Sequence, residues 1–224
     1  MGLSTTEESN GSIKNYLNIT GGKITQKVKA GTTGAVVRTN KMGNEVSELH
    51  FDTLSGQIVN IHIEPSPYAD KVWVITIRDG IDFYYLHLSY SGGTTMGLLN
   101  KLPNIDFSKD VILKVFRIYN EVSKKDKDYL VVYQGGMTKG HKVETAFPKE
   151  NPNGLPPMEQ IKVKGALQWD DTKQMEWLEN LIMSSIVPKL GGAPAPEYAS
   201  KVAETKAESP KVSDIEDDNL GLPF

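Results

Sequence analysis

The sequence predicts a mainly β protein, a small barrel of about five strands followed by a C-terminal helix and a disordered acidic tail. Three observations carry this. Short runs in which apolar and polar residues alternate recur between Gly and Pro punctuation from Gly22 to Gln134, the pattern of sheets with one covered face. Asp79-Gly80 stands between two β-rich runs, where a tight hairpin loop is expected. After Asp170 the apolar period changes to that of a helix, and after Gly191 apolar bulk almost disappears.

Residues 1–13 mix Ser, Thr, Gly, Asn and Glu and read as a flexible arm. A strand over 22–29 sets Ile24 and Val28 against Lys23, Thr25 and Lys27, and a second covers 35–39. A third, over 57–63, alternates Val59, Ile61 and Ile63 with Ile58, Asn60 and His62 and is expected to stop at Pro65.

The hairpin of 71–78 and 81–90 is the most informative part of the body. With Asp79-Gly80 as its loop, residue 78 would pair with 81, 76 with 83, 74 with 85 and 72 with 87. One face then carries Trp73, Ile75, Ile77, Tyr84, Leu86 and Leu88 and reads as core. The other carries Val72, Val74, Thr76, Arg78, Phe83, Tyr85 and His87, a stacking surface if water reaches it.

A short helix over 96–102 separates this unit from a second hairpin, with strands over 111–121 and 129–134 and a loop containing Lys124, Lys125 and Lys127. Val111, Leu113 and Val115 face the core, which turns Lys114 and Phe116 outward. Residues 135–165 are expected to be irregular. Asp170 or Asp171 caps a helix reaching about Val187, with a stripe of Met175, Leu178, Leu181, Ile182 and Ser185. About five strands with an interposed short helix suit an OB-fold-like barrel, whose sheet face and loops bind single strands. The expected divisions are an arm (1–13), this domain (14–190), a linker (191–212) and an acidic tip (213–224).

Composition removes several function classes. The absence of Cys excludes disulfides, thiol catalysis and cysteine-ligated zinc, and fits a reducing cytoplasm. No run of apolar residues approaches a membrane span, so no membrane partner is expected. The four His residues lack the spacing of a metal site, and neither a phosphate loop nor a nucleophile elbow occurs. The reading is therefore a non-enzyme without metal or cofactor. Net charge is −3 for the whole chain, but the segment from Gly191 contributes −4 and the body from Lys14 to Leu190 carries +3. A mildly basic body is compatible with a phosphate-bearing partner.

The final twelve residues, Ser213-Asp214-Ile215-Glu216-Asp217-Asp218-Asn219-Leu220-Gly221-Leu222-Pro223-Phe224, place four carboxylates ahead of an apolar end. Such an end asks for a pocket with an apolar floor, a basic rim and a donor for the terminal carboxylate. It resembles the C-terminal tip of single-stranded DNA-binding proteins of bacteria and their phages. The matching positions are Asp214, Glu216, Asp217 and Asp218 for the acids and Leu222, Pro223 and Phe224 for the clamp, with Asn219-Leu220-Gly221 intervening.

The resemblance implies a protein that coats single-stranded DNA without sequence preference, in the cytoplasm or in a phage's host. It also implies recruitment of replication, recombination and repair proteins through the tip, and allows a homo-oligomer. The DNA-binding candidates are first Arg78, Phe83 and Tyr85, then Lys27, Lys29, Arg38, Lys71, Lys114, Phe116, Lys124, Lys125 and Lys127. The alternatives are a β-barrel interaction module of a replication complex that does not itself bind DNA, or a hydrolase with an unrecognised site.

Overall fold

A computed structural model of the chain describes residues 15–40, 43–66, 69–121, 124–163 and 165–190. The expected arm, linker and tip, with Asp214, Glu216, Asp217, Asp218, Leu222, Pro223 and Phe224, lie outside the described residues. The chain divides into a unit of Met1–Ala193 and one of Pro194–Phe224, the latter wholly outside the described residues.

The fold is mainly β. Among the described residues, nine strands form one mixed sheet: β1 (Asn15–Thr20), β2 (Lys23–Val28), β3 (Val36–Thr39), β4 (Glu45–Phe51), β5 (Thr53–Ser66), β6 (Ala69–Asp79), β7 (Asp82–Ser89), β8 (Val111–Asn120) and β9 (Lys125–Gln134). Their spatial order is β3-β4-β2-β1-β7-β6-β5-β8-β9. β1 runs parallel to β7, and the other pairs are antiparallel. β10 (Glu159–Val163) and β11 (Ala166–Asp170) form a separate two-stranded ribbon. Helix α1 (Gly93–Leu99) lies between β7 and β8 in the chain, and α2 (Thr172–Leu181) follows the ribbon.

β5 makes the sheet turn. Its first four residues, Thr53–Gly56, pair with β8, and from Gln57 onward it pairs with β6. At the junction Gly56 has φ 142°, and a Cβ there would lie 2.4 Å from the Arg78 carbonyl oxygen. Glycine is required because backbone occupies that space. A bulge between Ile58 and Asn60 brings both Ile58 and Ile61 to the core, and a second between Glu64 and Ser66 lets the strand run past Pro65.

The sheet does not close. Its edges β3 and β9 are not hydrogen-bonded to each other, so the expected five-strand barrel is replaced by an open nine-strand sheet that curls. The curl brings the β1–β2 turn against β8. A Cβ on Gly22 would lie 2.6 Å from the Arg117 Cβ, and the Gly22 backbone N–H donates to the Asp128 carboxylate.

Inside the curl, Leu17, Ile24, Ile58, Ile61, Trp73, Ile75, Ile77, Leu86, Leu113 and Val132 are buried. Leu98, Leu99 and Leu102 from α1 and the turn after it join them, as do Met175, Leu178, Ile182 and Ile186 from α2 and its continuation. The Trp73 ring stacks at 6.1 Å on Tyr90, and its Nε1 donates to the Tyr90 carbonyl at 3.2 Å, so the largest core side chain has its polar atom satisfied.

The β6–β7 loop is Gly80-Ile81, with Arg78 opposite Phe83, Thr76 opposite Tyr85 and Val74 opposite His87. This differs from the expected register by two residues, because a loop opening on Gly80 at φ 58° needs only one left-handed residue. A two-residue shift preserves the faces, and the core face stands as expected. β9 begins at Lys125 rather than Tyr129, α1 ends at Leu99 rather than 102, and α2 passes at Ile182 into a π turn and at Val187 into a 3-10 turn. On α2, Asp170 Oδ1 accepts from the Thr172 backbone N at 3.0 Å, satisfying one free N–H of the first turn. Among the described residues no helix is long and apolar enough to cross a membrane.

Candidate nucleic-acid interface

The pairing registers place most of the sequence candidates on one surface of the sheet, opposite the core. On β6 and β7 this surface carries Arg78 beside Phe83, Thr76 beside Tyr85 and Val74 beside His87. β5 adds Gln57, Asn60 and His62 in the same rows, and β1 adds Tyr16 beside Tyr85. Further across, β2 contributes Thr25 and Lys27, β4 contributes Glu48 and His50, and β3 contributes Arg38.

This part of the surface is filled by its own rings. Tyr16 lies 5.5 Å from Tyr85 and meets His87 edge-on at 5.5 Å. Under that cover Val74 and Thr76 are fully buried and Tyr85 is only 7 % exposed, so the open stacking surface expected on both strands is narrower than the alternation suggested. Phe83 is half-buried and Arg78 exposed, the latter donating to Gln57 Oε1 at 2.5 Å.

In the same rows lies a group of buried polar atoms with no hydrogen-bond partner among the described residues: both ring nitrogens of His62, Nε2 of His87 and Oγ1 of Thr76. Glu64 stands 3.8 Å from His62 and 3.9 Å from His87. Burial pushes both imidazoles below the ordinary histidine range, against the attraction of Glu64. Among the described residues no group of three such side chains is arranged to hold a metal ion.

A cleft of about 390 Å³ opens beside this group, lined by Asn18, Lys27, Arg38, Glu48, His87, Ser89, Thr94 and Thr95. Arg38 is engaged within it. Its Nε and Nη2 donate to the two oxygens of Glu48 at 2.7 and 2.6 Å, and the Glu48 side chain is 2 % exposed. The guanidinium holds the Glu48 carboxyl below the usual range. Lys27 is exposed at the cleft, and Lys29 lies exposed just beyond the end of β2.

The same sheet surface continues onto β8 and β9, where the rings are more open. Phe116 pairs with Tyr129, and the two stack with centroids 5.9 Å apart at 16°. The next row toward β5 holds Lys114 opposite Val131, and the next row outward holds Ile118 opposite Lys127. Lys125 follows opposite Asn120. Tyr129 is 39 % exposed, and Lys125 and Lys127 are exposed. Because β9 starts early, these two lysines project from a strand rather than a loop, which places Lys127 on the surface of the two rings. Lys124, at φ 51°, stays in the turn.

Lys71 does not join this surface. It belongs to the Trp73 side of β6, where its Nζ is 3.2 Å from Glu179 and 5.0 Å from the centre of the Tyr90 ring. Tyr16 and Tyr129 were not among the sequence candidates. The signal for Tyr16 was limited to the short alternation of Leu17 and Ile19 before Gly21-Gly22, whereas Tyr129 was legible from its place opposite Phe116 once the hairpin is extended.

No family model, curated protein or solved structure matches the chain. The chemistry of the surface therefore rests on its own residues: paired aromatics for apolar flat groups, with lysines on either side for negative charge.

Proposed function

We propose that this chain binds single-stranded DNA, coating it without sequence preference on the outer sheet surface, and recruits replication, recombination and repair proteins through its acidic tip. The observation that carries the reading is the Phe116–Tyr129 stack flanked by Lys114 and Lys127. Aromatic faces accept any base, and the lysines neutralise the backbone between bases. Tyr16, Phe83 and Arg78 on the same sheet surface extend the track.

Two further features support the reading. β5 to β9, with α1 between the third and fourth of them, have the strand number and interposed helix of an OB-type unit, a five-stranded barrel that is itself only partly closed. The charge difference between the +3 body and the −4 C-terminal segment suits a body that binds phosphate and a tip that binds a basic partner pocket.

The test is filter binding of labelled poly-dT and matched duplex to the full chain and to Phe116→Ala/Tyr129→Ala. Retention of poly-dT over duplex by the wild type, lost in the variant, supports the reading; equal retention of both nucleic acids overturns it.

A further inference from the structure

The ribbon of β10 and β11 is hydrogen-bonded to neither edge of the large sheet. Its register pairs Gln160 with Trp169 and Lys162 with Leu167, so these four residues share one face. Trp169 is 63 % and Leu167 69 % exposed. The other two tryptophans are placed differently, for Trp73 is fully buried and Trp177 packs edge-on against Phe147 at 5.3 Å.

The charges of the ribbon are sorted by face. Glu159 and Asp170 lie on the face opposite Trp169. Glu159 pairs with Lys173 at 2.6 Å, and Asp170 Oδ1 accepts from the Thr172 N at 3.0 Å and its Oγ at 2.5 Å. The Trp169 face therefore presents an indole, an aliphatic side chain, an amide and one ammonium, with no carboxylate. Lys162 and Trp169 are diagonal cross-strand neighbours, about 7–8 Å apart at the backbone and within reach of each other's long side chains.

Two strands of five residues offer a face of about 17 by 10 Å, far below the roughly 800 Å² per partner of a stable protein interface. A single base needs no more than the indole. We propose that this face of the ribbon is a second stacking platform for single-stranded nucleic acid, Trp169 taking a base and Lys162 an adjacent phosphate. The inference rests on the function proposed above and names a contact outside the large sheet.

The experiment follows tryptophan emission of the full chain during titration with poly-dT, alongside anisotropy of a labelled oligo-dT, for the wild type, Trp169→Phe, Trp169→Ala and Lys162→Gln. Poly-dT is expected to quench the wild type, and Trp169→Phe to lose most of that quenching while still binding. Trp169→Ala should weaken binding on the order of tenfold, and Lys162→Gln should lower the salt slope by about 0.7.

Strong anisotropy binding with no quenching, or with quenching retained in Trp169→Phe, overturns the ribbon site and leaves the proposed function standing. No binding by any variant overturns both. Unchanged DNA binding by Trp169→Ala with altered self-association by light scattering overturns the ribbon site in favour of a contact between copies.

Discussion

Phe116 and Tyr129 stack across the β8–β9 hairpin with ring centroids 5.9 Å apart, 16° from parallel, on a strand pair whose opposite face is core. Their environment separates binding from stability, since neither ring belongs to the buried core. Phe116→Ala and Tyr129→Ala should each weaken poly-dT binding by ~1–3 kcal/mol, roughly 5- to 150-fold. Urea midpoints should move far less than for Trp73→Ala, where a fully buried ring is lost at a cost of ~3–5 kcal/mol. Paired anisotropy and urea titrations check both statements.

The lysines beside that stack should act through charge alone. Lys114→Gln and Lys127→Gln are each expected to reduce the slope of log affinity against log salt by about 0.7 without changing the preference among poly-dT, poly-dA and poly-dC. Lys71→Gln should leave the slope unchanged, since Lys71 is held by Glu179 on the Trp73 side of β6. Titrations at four salt concentrations give the three slopes.

Arg38 behaves oppositely to a free phosphate contact because both Glu48 oxygens already occupy it. Arg38→Ala leaves a carboxylate whose side chain is 2 % exposed with only His50, 3.7 Å away, beside it, and should cost ~2 kcal/mol of stability. Adding Glu48→Gln should recover part of that loss. Denaturation of the single and double variants measures the coupling, and poly-dT affinity should fall less in Arg38→Ala than in Lys127→Gln.

Stability should also depend on pH through His62 and His87. Both have folded values pushed down by burial, so the unfolded chain binds more protons between the folded values and the ordinary value of about 6.5. Their contribution is complete above about pH 6.5 and is lost as pH falls below it. Glu64, which faces both rings, reduces this effect without reversing it. The Glu48 carboxyl, held low by Arg38, contributes stability that is lost only at lower pH, below the ordinary carboxylate value of about 4.3. His62→Gln/His87→Gln should flatten the fall in urea midpoint between pH 7 and 5.5 and leave the more acidic fall in place.

Gly56 tests the corner in β5. With φ 142° and the Arg78 carbonyl 2.4 Å from any Cβ, Gly56→Ala should destabilise the chain by at least ~2 kcal/mol, because the backbone that carries Arg78 must move. A thermal melt of the variant is sufficient.

The alternation in 71–90 was enough to assign both faces of β6 and β7, since a period of two survives an error of two residues in the turn. The separate alternation in 111–116 placed Val111, Leu113 and Val115 in the core and Lys114 and Phe116 outside. Three features were less legible. β1 carries only Leu17 and Ile19 as apolar signal, and its partner in the sheet is the distant, parallel β7. The ribbon exposes Leu167 and Trp169, so its sequence lacks the buried-and-solvated contrast that marks a half-covered strand. The openness of the sheet depends on which strands pair across long separations, which local pattern does not encode. At the site, outward direction was readable for Tyr85, but its burial was not, because the cover comes from Tyr16 on another strand.

Single-strand binding by the sheet surface is best measured by fluorescence anisotropy of labelled oligo-dT and matched duplex at several salt concentrations, using the full chain and a chain ending before Ser213. Tight, salt-sensitive binding to the single strand over the duplex, unchanged or strengthened when the acidic tip is removed, is the expected result. Absence of single-strand preference in both proteins would contradict it.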